Sequence, residues 1–155
     1  YLGGAAPSIE KARAVVEEIL AGGKGYHKLC EMVACQGGKA EDLELIAEIK
    51  PARLQVEIRA DRAGYIQGLR TDEIGRIVMR LGAGRERTGE AIDHAVGVSL
   101  RCKTGDLVEV NDTLAVIYAN DPLRLEEAKK AWPQVYTWGE DPPQPTPIIL
   151  GTIAD

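Results

Sequence analysis

Apolar side chains recur at helical spacing near the start of the chain. Their spacing of three and four residues predicts two amphipathic helices, over residues 7–21 and 24–36. Pro7 and Ser8 suit the start of the first helix, and glycine pairs follow both helices. These features predict a helical hairpin with a short glycine link. The apolar positions are Ile9, Ala12, Val16, Ile19 and Leu20 in the first helix, and Tyr26, Leu29, Cys30, Val33 and Ala34 in the second.

The hydrophobic period changes after a polar stretch, residues 39–51, which ends in Lys50-Pro51. From Leu54 onward apolar and polar residues alternate, which indicates a strand with one buried face. We therefore expect an α+β protein in two parts, a helical hairpin with its linker over residues 1–50 and a mixed unit over 51–155. The strands predicted after the first are residues 65–69, 96–102, 107–110, 114–119 and 135–138, and the helices are 71–81 and 121–131.

Capping residues mark the ends of the two later helices. Thr71 is predicted to cap the third helix, and Asp121-Pro122 has the cap and first-turn proline of the last one. Gly82 follows the last apolar residue of the third helix, where a C-cap glycine belongs. Residues 141–147 contain four prolines and are predicted to form an extended surface segment.

The composition excludes several classes of protein. Of the 155 residues, 45% are hydrophobic and 28% are charged, and the formal net charge is −5. A chain with this negative charge and interleaved acids and bases is not expected to bind nucleic acid. No apolar run approaches the roughly 20 residues that span a bilayer. Cys30, Cys35 and Cys102 have no framework spacing and indicate free thiols in a reducing compartment, so we expect a cytoplasmic protein.

The stretch LGAGRERTGE, residues 81–90, has the glycine content of a phosphate-binding loop. A Walker loop needs Lys and then Ser or Thr after its last glycine, whereas Gly89 is followed by Glu90. In a dinucleotide-binding fingerprint the third glycine would come two residues earlier, counted from Gly82 and Gly84. Phosphate also favours the N-terminus of a helix, and these glycines follow a helix. The stretch therefore predicts a helix-ending turn rather than an anion site.

No other set of residues has the spacing of a catalytic or metal site. His27 and Cys30 are one helical turn apart, but Cys35 lies on another face and no fourth ligand is near. We expect each cysteine to pack as a small hydrophobic residue. His94 follows Asp93, and no nucleophile is paired with either by a motif. The sequence predicts no catalytic residue, no metal site and no cofactor in this chain.

One β pattern leaves an alternative open. Residues 102–121, CKTGDLVEVNDTLAVIYAND, are similar to the second half of biotinyl and lipoyl carrier domains, which have barrel-sandwich folds. In both, a Gly-Asp turn leads through a short strand and a second turn into a buried strand. Those carriers present a modified lysine in a tight hairpin, whereas residues 118–121 here contain no lysine. A carrier-like binding module is the alternative interpretation.

Several short motifs follow one another along the chain: EMVACQGG, GYIQGL, LGAGR, IDHAVGVSL and TGDLVEVNDTLAVIYAND. In this order and spacing they resemble the C-terminal part of bacterial pyrimidine-nucleoside phosphorylases, the thymidine phosphorylase family. The resemblance implies that residues 51–155 form the family's α/β-hammerhead domain, which has a barrel-sandwich-like strand pattern. It also implies that residues 1–50 are a helical hairpin and linker from the parent's α/β domain.

The resemblance implies an activity for the parent protein. Enzymes of that family split a pyrimidine nucleoside with phosphate, as co-substrate, into the free base and pentose 1-phosphate, and they are homodimers. Their phosphate-binding, base-binding and catalytic residues lie upstream of the first residue of this sequence, so none is carried over. We therefore expect a C-terminal part of such an enzyme, inactive by itself, whose partners are the rest of the parent chain and a second subunit. Specificity for thymidine alone or for several pyrimidine nucleosides stays open.

The resemblance carries over one structural loop. The family's Gly-Ala-Gly-Arg falls on residues 82–85, and its Ile-Asp falls on residues 92–93. Our hypothesis is that Arg85 and Asp93 hold the loop in place, by bonding to each other or to backbone carbonyls. The predicted structural-loop residues are Gly82, Gly84, Arg85, Asp93 and Gly97.

Overall fold

The computed structural model describes residues 1–45, 52–85, 87–147, 149–151 and 153. The chain forms two compact units, Tyr1–Ile49 and Lys50–Asp155. Helices and two small antiparallel sheets make an α+β protein, as the sequence predicts. The end of the predicted linker, residues 46–51, lies outside the described residues.

The N-terminal unit contains the predicted helical hairpin. Helix α1 (Ile9–Ala21) and helix α2 (Lys24–Cys35) are followed by a short helix, α3 (Glu41–Glu44). The Ser8 hydroxyl accepts a hydrogen bond of 3.3 Å from the Lys11 backbone N–H, so Ser8 caps α1. The link between α1 and α2 turns at Gly23, whose φ of +74° is unfavourable for any side chain.

Most of the apolar stripe of the hairpin stays exposed. No residue of α1 or α2 is buried, and Leu20 keeps 68% of its surface accessible. Cys35 at the end of α2 is exposed, while Cys30 and Cys102 are partly buried. The prediction that every cysteine packs as a small hydrophobic residue is therefore wrong for Cys35. It fails because helical spacing places a residue on a face but does not show whether anything covers that face.

The described residues of the C-terminal unit form six strands and two α-helices: β1 (Leu54–Arg59), β2 (Gly64–Leu69), α4 (Thr71–Val78), β3 (Gly97–Leu100), β4 (Leu107–Val108), β5 (Thr113–Ala119), α5 (Pro122–Ala131) and β6 (Tyr136–Gly139). The strands form two three-stranded antiparallel sheets, ordered β1-β5-β3 and β4-β2-β6. Neither sheet closes into a barrel within the described residues. The strands β1 and β2 are close in sequence, yet they belong to different sheets.

One hydrophobic core joins the two sheets to α4 and α5. Ile66 from one sheet and Ile117 from the other are fully buried in it. Strand β5 lies at the centre of its sheet, and Tyr136 on β6 donates a hydrogen bond of 3.0 Å to the Leu114 carbonyl of β5. The sheets are therefore connected through side chains as well as through the chain itself.

The two predicted helix caps have different outcomes. Asp121 caps α5 through its carboxylate, which accepts from the backbone N–H of Leu123 at 2.8 Å and of Arg124 at 3.3 Å. The Thr71 cap is wrong, because Thr71 is already the first helical residue and Arg70 stands at the cap position without a side-chain cap bond. Arg70 is the single residue between the end of β2 and the start of α4. Its backbone N–H donates a hydrogen bond of 2.8 Å to the Val135 carbonyl.

Candidate functional site

The loop between α4 and β3 begins at Gly82, inside a π-helical turn over Met79–Ala83. Gly82 has φ +117° and ψ 0°, a conformation that L side chains rarely adopt. Its carbonyl accepts a hydrogen bond of 2.9 Å from the Asp93 backbone N–H. A Cβ at this position would lie 3.1 Å from Nη1 of Arg124. The helix-ending turn predicted from the sequence is therefore present at Gly82.

Gly84 is required for a different reason. Its backbone is extended, with φ −135° and ψ −178°, and any residue could adopt it. A Cβ there would lie 2.9 Å from Cγ and 3.3 Å from Cα of Met79, which is too close for real side chains. Gly97, in contrast, would meet nothing within 4 Å. The loop thus needs glycine at 82 for conformation and at 84 for close packing, and neither requirement applies at 97.

Asp93 connects three separate segments of the C-terminal unit. Its carboxylate accepts from the Ala95 N–H at 3.0 Å and from the Asn120 side-chain amide at 2.7 Å. The amide oxygen of Asn120 in turn accepts from the Arg53 backbone N–H at 2.8 Å. Asp93 therefore ties the loop to the end of β5, and Asn120 extends the tie to the residue before β1. We refer to these three residues, Arg53, Asp93 and Asn120, as the tie network.

The tie network holds Asp93 in its charged form. The hydrogen bond from Asn120 is the largest cause that lowers the pKa of Asp93 below its ordinary value, and the Ala95 N–H lowers it further. Hydrogen bonds donated to a carboxylate favour its ionised state. Both carboxylate oxygens are engaged in these bonds, so Asp93 is suited to a structural role rather than to proton transfer.

The structure does not join Arg85 to Asp93. Arg85 is exposed, and no hydrogen bond or ion pair between these two side chains exists in the described part of the chain. Asn120 takes the place that the sequence hypothesis gave to Arg85. Sequence reasoning did not find Asn120, although it directly precedes the predicted cap Asp121 in the motif YAND. The role of the loop in the family stays a prediction.

A groove of about 490 Å³ lies beside this loop. Its charged lining consists of two arginines and two glutamates, so it carries no net positive charge that would favour phosphate. This balance agrees with the absence of a phosphate-loop motif in residues 81–90. The residues that line the groove are Met79, Arg80, Gly84, Glu90, Ala91, Arg124 and Glu127.

The described ranges contain no group of three or more His, Cys, Asp or Glu side chains that could hold a metal ion. Nor does any helix of those ranges have the length and apolar character that crossing a membrane requires.

Comparison with known proteins places these features in a family. Residues 65–138 match the model of the pyrimidine nucleoside phosphorylase C-terminal domain, and this range includes both Asp93 and Asn120. The chain is also 37% identical over 115 residues to the pyrimidine-nucleoside phosphorylase of Bacillus subtilis (strain 168). That alignment covers 74% of this chain and 27% of the relative, so the chain spans about a quarter of the relative's length. The chain belongs to the pyrimidine-nucleoside phosphorylase family and carries its C-terminal domain.

Proposed function

We propose that this chain is the C-terminal, non-catalytic part of an enzyme that phosphorolyses pyrimidine nucleosides, and that by itself it is inactive. The match of residues 65–138 to the family's C-terminal domain carries the proposal. The loop between α4 and β3 also supports the proposal, because both carboxylate oxygens of Asp93 accept hydrogen bonds from groups within the domain. The reaction would convert nucleoside and phosphate, the co-substrate, into free base and pentose 1-phosphate.

In the proposed enzyme this domain acts as a rigid support for the substrate-binding parts. The tie network favours such a role, because it fixes the loop, the end of β5 and the entry to β1 to one another. A part that moves as a rigid body needs internal bonds of this kind. The same proposal includes a hammerhead arrangement of the domain and a homodimeric parent enzyme. It also includes a cytoplasmic location, which the three free cysteines support.

A direct assay tests the predicted inactivity. The purified chain is incubated with uridine or thymidine and inorganic phosphate, and free base is measured by chromatography. The pyrimidine-nucleoside phosphorylase of Bacillus subtilis serves as the positive control under the same conditions. We expect no base release above the rate without protein. Release at a rate comparable to that of the control enzyme would overturn the proposal.

A domain exchange tests the supporting role. Residues 53–139 of this chain, from Arg53 of the tie network to the end of β6, replace the corresponding segment of the Bacillus subtilis enzyme, and phosphorolysis by the chimera is measured. We expect activity to be retained, and we expect the matched chimera with Asn120→Ala to lose thermal stability. A folded chimera without activity would show that the domain does not perform the relative's structural role.

The carrier-like alternative has one observation in its favour. The turns at residues 103–106 and 109–112 are built alike, since Asp106 and Asp112 each accept from the backbone N–H three residues earlier, at 2.7 Å and 2.9 Å. Gly105 and Asn111 both have positive φ. Intact mass of the protein isolated from cells distinguishes the two functions. A biotinyl or lipoyl adduct on a lysine would support the carrier function, and the unmodified mass is expected here.

A further inference from the structure

A second cavity, of about 340 Å³, lies elsewhere in the C-terminal unit and shares no lining residue with the groove beside the loop. It is bounded by the end of β1, the turn that follows β1, the end of α5 and β6. Its volume falls at the small end of the range for ligand-binding pockets, which is about 300–1,000 Å³. A ligand of one or two rings with one charged substituent suits a cavity of this size.

Three aromatic side chains form a continuous row in this cavity. The ring centroids of Trp132 and Tyr136 are 6.3 Å apart, and those of Tyr136 and Trp138 are also 6.3 Å apart. Trp132 and Tyr136 are buried, whereas Trp138 is partly exposed. The first two rings therefore form the floor, and Trp138 offers accessible aromatic surface to a ligand. Planar rings pack favourably against such surfaces in offset or tilted arrangements.

Cations outnumber carboxylates in the lining of the cavity. Arg59, Arg62 and Lys129 line it, together with the single carboxylate of Asp61. The Arg62 guanidinium lies 6.0 Å from the centroid of the Trp138 ring. The Arg62 guanidinium therefore lies next to the accessible aromatic surface of Trp138.

Two of these cations, Arg62 and Lys129, keep hydrogen-bond donors for a ligand, whereas Arg59 bonds the Glu57 carboxylate and the Asn111 carbonyl. Arg62 bonds Asp61 through Nε at 2.9 Å and Nη2 at 3.1 Å, which leaves its Nη1 outside that pair. Lys129 bonds Glu126 at 2.8 Å, and an ammonium group has three donors. Glu126 is not part of the cavity lining. An anion at the rim would therefore meet charged donors from two different elements.

We propose that this cavity binds a small ligand that combines a planar aromatic ring with an anionic group. The ring packs against Trp138, and the anionic group accepts hydrogen bonds from Arg62 and Lys129. Charge-assisted bonds to the anion and stacking of the ring act at the same time, so both parts of the ligand are required. The inference is independent of the proposed enzymatic function, because it rests on the C-terminal unit alone.

Intrinsic fluorescence tests the proposal directly. The chain contains two tryptophans, and both line the cavity, so tryptophan emission reports on its occupancy. We expect saturable quenching by uridine 5′-monophosphate with a dissociation constant below about 1 mM. Benzoate and phenyl phosphate, measured in parallel, carry the same ring and so distinguish a carboxylate from a phosphate as the anionic group. The absence of saturable change with all three probes would overturn the proposal.

Two partial probes separate the halves of the ligand. Uridine supplies the ring without the charge, and inorganic phosphate supplies the charge without the ring. We expect each of them to bind at least about tenfold more weakly than uridine 5′-monophosphate. Equal binding of uridine would refute the role of the cations, and equal binding of phosphate would refute the role of the aromatic surface.

Matched variants locate the site. Lys129→Ala and Arg62→Ala each remove one charged hydrogen bond, which corresponds to about a tenfold loss of affinity for the best probe. Lys130→Ala removes the same charge from an exposed neighbouring position of α5 outside the lining, and we expect less than about a twofold change. Thermal unfolding confirms that each variant is folded. If all three variants bind alike, the ligand does not occupy this cavity.

Discussion

Substitution of Tyr136 by phenylalanine tests the link between the two sheets. Tyr136 is 6% exposed, and its hydroxyl donates to the Leu114 carbonyl at 3.0 Å. At neutral pH we expect the free energy of unfolding to fall by about 1 kcal/mol, the usual contribution of one hydrogen bond. The loss stays small because the same carbonyl also accepts from the Arg101 N–H at 2.8 Å and is not left unpaired.

The contribution of the Tyr136 hydroxyl to stability declines at high pH. Burial is the main cause that raises the pKa of Tyr136 from 10.0 to about 12. Below the ordinary pKa the hydroxyl is protonated in both states, and its contribution to stability is complete. Between that value and about 12 the unfolded chain releases the proton while the folded chain retains it, so stability falls as pH rises. At about pH 11 this loss amounts to about 1.4 kcal/mol for the wild-type chain.

Urea unfolding of both proteins between about pH 8 and pH 11 measures the difference. The phenylalanine variant has no phenolic proton to lose at this position, so the wild-type advantage of about 1 kcal/mol should vanish or reverse near pH 11. Burial also raises the pKa of the Cys102 thiol. Because Cys102 is itself a cause that raises the pKa of Tyr136, the same pair of proteins with Cys102→Ala isolates the phenol. A stability difference that stays constant over this pH range would refute the reasoning.

Three further substitutions, with Gly97→Ala as a control for the first, test the loop and its surroundings. Gly82→Ala should destabilise the chain by about 1–3 kcal/mol in urea unfolding because of its positive φ, whereas Gly97→Ala, which meets no atom, should change stability by less than about 0.5 kcal/mol. Asn120→Ala should raise the pKa of Asp93 towards its ordinary value, measured by NMR titration, and an unchanged pKa would contradict the tie network. Asp121→Ala should cost about 1 kcal/mol through the lost cap, and no loss in thermal unfolding would argue against capping.

Element type was predictable where local chemistry decides it. Asp121 followed by Pro122 marks the start of α5 within a residue, because both the cap bond and the proline conformation depend only on neighbours. Asn111 adopts φ +76° in a turn that the sequence also predicts. Strand partners were not predictable in this way. The alternation of apolar and polar residues shows which face of β1 is buried, but it does not show which strand lies beside it. The actual neighbour is β5, far along the chain, where Ala119 pairs with Leu54.

The hydrogen-bond partner of Asp93 was likewise not predictable from nearby residues. Asp93 was selected because the family's Ile-Asp falls on residues 92–93, and the hypothesis was that Arg85 and Asp93 hold the loop by bonding to each other or to backbone carbonyls. The actual partner, Asn120, is 27 residues away and uncharged, so neither proximity nor charge pattern could indicate it. An amide side chain leaves little signal in a sequence, whereas in the folded chain it donates to one segment and accepts from another.

The positions of these bonds explain why the loop motif has two separate parts, Gly-Ala-Gly-Arg at residues 82–85 and Ile-Asp at residues 92–93. A long irregular connection such as the one from Gly84 to β3 carries an entropy cost that must be offset by bonds near its ends. The Gly82 carbonyl bond to Asp93 closes the loop, and the bonds of Asp93 to Ala95 and Asn120 fix its second end. Between the two ends, residues 87–91 are all exposed. In this exposed middle Gly89 has φ +93°, and the Arg87 N–H donates to the Glu90 carboxylate at 3.2 Å. Sequence constraints should therefore concentrate at 82–84 and 93 and, within the middle, at Gly89 and Glu90.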